Sequence, residues 1–217
     1  QGLVHYASGI WTLPSRLSAQ DLPDNAANAA RARLSSMSAQ ARFLLEAHSL
    51  AFHEELTDAN FRALLPDVST AQVDGALTEL LAARAIVRNG AQYAVSNRIW
   101  SAAALAPLDA AEQRVRHAAL ATLYRGHSYF AYTHHAFSAD LCEEGLAGML
   151  ERYAQGASET QRKAMLEQNI GKMIWCTGLA IETAHRLGRT PREINTIRRW
   201  HFGGQITSEN GIYDAHA

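Results

Sequence analysis

Three histidines, His127, His134 and His135, crowd one stretch of the chain, and neutral imidazole is a common zinc ligand. If one helix carries all three, His127 and His134 share a face of it. No Glu or Cys stands at ligand spacing beside them and there is no His-Glu-x-x-His signature, so they read as histidines of an amphipathic helix. His48 and His117 read in the same way, as polar rims of a core face. The two thiols, Cys142 and Cys176, are the candidate nucleophiles, and either would need a positioned base and a lowered pKa. The sequence shows no such base, and no Gly-x-Ser-x-Gly turn stands in for one. Cys176, beside Trp175, reads as a small buried thiol. Phosphate chemistry lacks its cradle too: the lysines are Lys163 and Lys172 and neither follows a P-loop glycine pattern. No enzymatic activity and no cofactor of its own are expected for this chain.

The elements that would position these groups must fit within 217 residues, of which 47% are hydrophobic and 19% charged, enough for a real core and best divided into two compact units. A formal net charge of -1 removes the general basic footprint of a protein that lives on nucleic acid or anionic lipid. The dense positive stretch is Arg186, Arg189, Arg192, Arg198 and Arg199, with Trp200 inside it. It could face RNA or phosphate, but it reads more simply as a solvated turn, with Arg186 near a helix C-terminus. Charged or amide residues interrupt every apolar run short of the roughly 20 residues of a membrane helix. The chain opens on Gln1-Gly2-Leu3-Val4 without Met or a signal peptide and reads as a piece of something longer, cytoplasmic and with reduced thiols.

Residues 1–14 suit a small linking hairpin, with β-prone runs Leu3–Tyr6 and Ile10–Leu13 around Ala7-Ser8-Gly9. Helical periodicity begins after Asp24, a natural N-cap, with Ala27, Ala30, Leu34 and Met37. Ser38 caps a second helix with inner face Ala41, Leu44, Leu45 and His48, and Thr57 or Asp58 starts a short third one that ends at Pro66. Ser69-Thr70-Ala71-Gln72 has capping-box form, with the stripe Val73, Leu77, Leu80 and Leu81 behind it. Asn89-Gly90 between β-prone runs then signals a hairpin. Three helices and a hairpin are the winged-helix order, which assigns residues 15–105 to a winged-helix domain.

Residues 106–217 read as the start of an α-helical repeat domain. Asp109 to Glu112 cap a helix carrying Val115, Ala119 and Leu123 that stops at Gly126. Helices over 127–137 and 141–153 follow. A long one over 158–187 would span roughly 45 Å, with inner stripe Leu166, Ile170, Met173, Ile174, Thr177, Ile181 and Ala184. Gly171 and Gly178 on it are expected to admit a neighbouring helix, and Gly188 to end it. Thr190 to Glu193 cap a further helix with Ile194 and Ile197 inside, broken by Gly203-Gly204. Gln205–Thr207 and Ile212-Tyr213 read as the start of another element.

A winged helix often reads DNA with its last helix, here Ser69 to Arg84. Its outward positions include Asp74, Thr78 and Glu79, and two carboxylates facing phosphate repel it. Arg84 and Arg88 are the residues a DNA-binding alternative would rest on, while Arg31 and Arg33 lie on a different helix. DNA is therefore disfavoured against a protein-interaction role.

The runs Trp11–Pro14, Leu22-Pro23, Ala32–Leu34, Ser38–Leu45, Leu77–Leu80 and Tyr93–Val95 resemble the segment after the nucleotide-binding core in STAND-type, AAA-related bacterial signal-transduction ATPases. That family includes the maltose-regulon-activator class and ATPases fused to kinases or cyclases. Arg114–Ala121 is similar to the helix that opens their tetratricopeptide-like array, and Tyr132–Phe137 resembles its Ala-His-His-Leu segment. The resemblance implies a mainly α fold, a winged helix controlling a nucleotide switch, and helical repeats that dock a protein or small-molecule ligand. It implies ATP or ADP and Mg in the parent and the nucleotide-binding domain of the same chain as a partner. Self-association is expected on a separate ground, because the last segment, with Gln205–Thr207 and Ile212-Tyr213, offers no polar cap to the helical array. Where the family carries an aromatic-x-His run, this sequence has Val95 and Asn97. Asn97 thus takes the nucleotide-sensing position, as an amide that can donate a hydrogen bond but cannot become cationic. The alternative is a winged-helix DNA-binding transcriptional regulator with a helical ligand-sensing domain.

Overall fold

Short-range capping sets where most helices begin. The computed structural model describes residues 5–7, 10–12, 26–51, 55–155 and 174–201. Strands β1 (His5–Ala7) and β2 (Ile10–Thr12) pair antiparallel. Helix α1 (Ala26–Ser35) ends in a turn, and α2 (Ala39–Leu50) restarts because the Ser38 hydroxyl accepts from the Ala41 N–H. After β3 (Glu55–Thr57), α3 (Asp58–Leu64) opens with a reciprocal capping box between Thr57 and Asn60. A second box, Ser69 with Gln72, opens α4 (Thr70–Ala82). Its buried face is Val73, Ala76, Leu77 and Leu80, while Leu81 is only half-buried.

The hairpin of β4 (Ile86–Asn89) and β5 (Gln92–Val95) pairs Asn89 with Gln92, so the two-residue loop is Gly90-Ala91. Gly90 takes φ +63, a conformation that glycine adopts without steric cost. Strand β3 carries no strand signal of its own length, yet it pairs antiparallel with β5 and makes the sheet three-stranded, in the order β3-β5-β4. The Tyr93 hydroxyl on β5 donates to Asp58 at 3.0 Å and ties the sheet to α3.

The remainder is helical: α5 (Arg98–Leu105), α6 (Ala110–Tyr124), α7 (Tyr129–Ser138), α8 (Cys142–Gln155), α9 over 174–186, and α10 (Pro191–His201). The molecule is thus mainly α with small antiparallel sheets. Helix α5 packs on α1 and α2, α6 crosses α2 and α3, and α6, α7 and α8 pack as successive neighbours. One buried cluster runs from Ala30 on α1 through Phe61, Leu80 and Tyr93 to Leu120, Leu123, Tyr124 and Ala131, and so spans residues 105 and 106. A second joins Phe137, Leu146, Met149, Cys176, Ala180, Ala184, Ile194 and Ile197. No described helix is long and apolar enough to cross a membrane.

Several expected core positions turn outward. Val115 is 55% exposed, because α6 buries His117, Leu120, Ala121, Leu123 and Tyr124 against its neighbours, a face rotated from the expected Val115, Ala119, Leu123 stripe. Ile174 is 54% exposed, whereas Thr177 and Ala184 of the expected stripe are buried, with Cys176, Ala180 and Thr183 turned inward beside them. Gly178 is exposed, and among the described residues nothing lies within 4 Å of a Cβ built there, so no described helix approaches it. The close approach falls on α8: a Cβ on Gly145 would meet the Phe137 ring and one on Gly148 would run into the Tyr132 ring. Asp24, Leu166, Ile170, Gly171, Met173 and the segments from Gly203 onward lie outside the described residues.

Candidate functional site

Helical spacing brings a set of charged side chains to one cleft. Arg31 and Leu34 share a face of α1, as do Arg42, Phe43 and Glu46 on α2, and Glu112 and Arg116 on α6. These faces meet, with Ala103, Ala104 and Leu108 behind them, around a cleft of about 600 Å³. Inside it Arg116 donates through both Nε and Nη2 to Glu46 Oε2, at 3.0 and 2.8 Å, in a pair whose side chains are only 17% and 10% exposed. The guanidinium carbon also lies 5.0 Å from the Phe43 ring centroid, so the cation is held by a carboxylate and an aromatic face together. Arg42 Nη1 donates to the carbonyls of Ser35 and Met37, where the electronegative end of α1 helps to hold a cation. Arg31 donates to Asn28 Oδ1 at 2.6 Å. Among the described residues neither Arg31 nor Arg42 has a carboxylate partner, the ion pairs being Arg62–Asp74, Arg116–Glu46 and Arg189–Glu193.

A second constellation is the histidine group, with a different membership from that read in the sequence. His127 lies in the exposed turn before α7, off the helical face it was expected to share with His134. In its place α6 supplies His117, whose Nδ1 is 2.8 Å from Nδ1 of His135, both rings buried. One Nδ1 must donate and the other accept. Tyr124 stacks on His135 with ring centroids 5.5 Å apart, and His134 stands edge-on to Trp175 at 5.4 Å. Burial pushes the His117 pKa down to about 4. No group of three His, Cys, Asp or Glu among the described residues is arranged to hold a metal. His117 is therefore part of the core rather than a polar rim, and so is His48, 3% exposed and edge-on to Phe61.

The other positions singled out lie apart from both sites. Asn97 caps α5, its Oδ1 accepting from the N–H groups of Ile99 and Trp100 at 3.0 and 3.4 Å. Arg84 lies beyond the end of α4 with φ +57, its carbonyl accepting from the Ser96 hydroxyl. Arg88 on β4 covers the Tyr93 ring at 5.6 Å and donates to the Gly90 carbonyl. On α4, Asp74 pairs with Arg62 and Glu79 accepts from the Ser38 N–H at 2.9 Å. Cys176 is buried, while Cys142 is half-buried with its thiol 3.7 Å from Asp140 Oδ1. Arg186 and Arg192 are exposed, and Arg189 pairs with Glu193. The side chains of Arg198, Arg199 and Trp200 lie outside the described residues.

Arg42, Arg116 and Glu46 carried no motif in the sequence. The one signal was a charged residue set among the apolar positions of α2, which becomes informative only when α6 is known to cross that face. The chain matches no protein-family model, no curated protein and no solved structure.

Proposed function

We propose that this chain is a regulatory and interaction segment of a multidomain signal-transduction ATPase, a winged helix followed by the start of a tetratricopeptide-like helical array, with no catalytic step of its own. The observation that carries the first half is the order α2, β3, α3, α4, β4, β5 with the sheet arranged β3-β5-β4, the connectivity of a winged helix. Successive packing of α6, α7 and α8 through short connections favours the array. In this reading the winged helix packs on the nucleotide-binding domain of the same polypeptide in the resting state, and the helices dock a protein or a small ligand. ATP or ADP and Mg belong to that domain, and Asn97 is the residue proposed to face the nucleotide through its amide N–H. The setting is cytoplasmic, and self-association of the array is part of the proposal.

The competing reading is a winged-helix DNA-binding regulator with a helical ligand-sensing domain. The exposed Arg84 and Arg88 at the wing favour it, whereas the carboxylates of Asp74 and Glu79 on α4 oppose it. Two measurements separate the readings. The reading frame ahead of the Gln1 codon should encode a P-loop, and the absence of one sinks the ATPase assignment. Duplex DNA should bind weakly and without sequence preference. A footprint that survives physiological salt and vanishes in the Arg84→Ala/Arg88→Ala variant transfers the chain to the DNA-binding class.

A further inference from the structure

We propose that the cleft between α1, α2, α5 and α6 binds a small amphipathic monoanion, an apolar body carrying a single carboxylate. The volume of about 600 Å³ lies within the rough range of 300–1,000 Å³ that small-molecule sites occupy. Leu34, Phe43, Ala103, Ala104 and Leu108 supply apolar wall and few hydrogen-bonding groups, so a sugar or a free polar metabolite would leave most of its hydroxyls unpaired. The polar contribution comes instead from guanidinium groups, which match a carboxylate with two parallel donors.

The charge count limits the anion. Glu46 is neutralised by Arg116 within the wall. The Glu112 carboxylate accepts from the Asp109 N–H at 3.0 Å and has no cationic side chain paired with it among the described residues. Against it stand Arg31 and Arg42, neither with a carboxylate partner among the described residues. Arg42 spends Nη1 on the Ser35 and Met37 carbonyls, and that anchorage fixes the plane of the guanidinium while Nη2 and Nε make no hydrogen bond to a described residue. The lining thus holds one more cation than anion. A monoanion satisfies that excess, whereas a dianion such as a phosphate monoester would also face Glu112.

The test is a calorimetric titration of the full chain with sodium octanoate, backed by amide chemical-shift mapping. Acetate, which lacks the body, octanamide, which lacks the charge, and 2-naphthoate, an aryl carboxylate, serve as comparisons. Octanoate should bind saturably, with shifts centred on Leu34, Phe43 and Ala104, and about tenfold tighter than acetate or octanamide. If 2-naphthoate is the better ligand the body is planar, and if octanoate is better it is acyl; both preserve the proposal. Arg42→Gln and the exposed Arg31→Gln should each weaken octanoate several-fold without affecting octanamide, and Ala39→Trp, at the mouth, should block every ligand. Arg31→Gln keeps the test valid should Arg42→Gln fail to fold, since the Arg31 side chain is held only by Asn28 among the described residues. Octanamide binding as tightly as octanoate, no saturation at millimolar concentration, or shifts away from the cleft would each overturn the proposal.

Discussion

His117 is a buried ring whose protonation opposes folding. Its pKa in the folded chain is about 4 against 6.5 for an unperturbed imidazole, so between those values the unfolded chain binds the extra proton. The stabilisation is complete above pH 6.5 and is lost as the pH falls toward 4, by about 3 kcal/mol at most. His134 and His135 of α7 face the ring, and Tyr124 of α6 stacks on the far partner, His135. Urea unfolding at pH 7.5 and at pH 4.5 should show the loss, and His117→Leu should flatten the dependence even though it lowers stability at both values. Glu46 and Arg116 offer a second check at this scale. Glu46→Gln leaves a nearly buried guanidinium without its counter-charge and should cost about 3 kcal/mol, while the apolar pair Glu46→Leu/Arg116→Met should recover most of that loss.

At the scale of elements, two glycines on exposed and packed helix faces should respond with opposite sign. Gly178→Ala on α9 meets nothing within 4 Å and should stabilise the helix, by up to about 1 kcal/mol. Gly148→Ala on α8 drives a methyl into the Tyr132 ring, which is held by its hydroxyl on the Glu144 carbonyl at 3.3 Å and by Arg125 over its face. The ring cannot retreat without losing both contacts, so about 1–3 kcal/mol of stability should go. Thermal melts of the two variants beside the parent chain decide the matter, and equal effects would show that the α7–α8 packing is looser than described. The four capping boxes, at Thr57, Ser69, Asp109 and Thr190, work at this scale too, each satisfying helix-start donors within four residues of chain.

Over the whole molecule, α7 belongs to both buried clusters, placing Ala131 in one and Phe137 in the other. The cluster built on the small sheet takes Leu120, Leu123 and Tyr124 from α6, so helices beyond residue 105 complete it. A chain ending at Leu105 should therefore expose the apolar surface of α2 and α3, bind a hydrophobic dye and lose its sharp unfolding transition. A chain ending at Ser138 should keep that transition. A cooperative melt from the shorter chain would instead show that residues up to 105 form an independent unit.

What the sequence by itself determined is the set of features written within a few residues of chain. Ser38, Thr57, Ser69, Asp109 and Thr190 announce their helices because a capping side chain needs only the N–H groups two or three positions ahead. The turn between β4 and β5 is legible because glycine takes the positive φ of Gly90 cheaply. Tertiary structure decided the rest. Three residues, Glu55 to Thr57, have no strand preference worth reading and become β3 only when β5 offers its edge. Alanine-rich α6 has too weak an apolar stripe to show its phase, so Val115 looked buried, and His117 emerges as the partner of His135 only once α7 is laid against it. The cleft is the plainest case: Arg42 and Arg116 occupy ordinary helix-surface positions, and the crossing of α6 over α2 converts them into a partly dry, charged wall. Local hydrogen bonding is encoded along the chain, whereas burial and charge pairing depend on which helix faces meet, and that is set by the packing of all of them together.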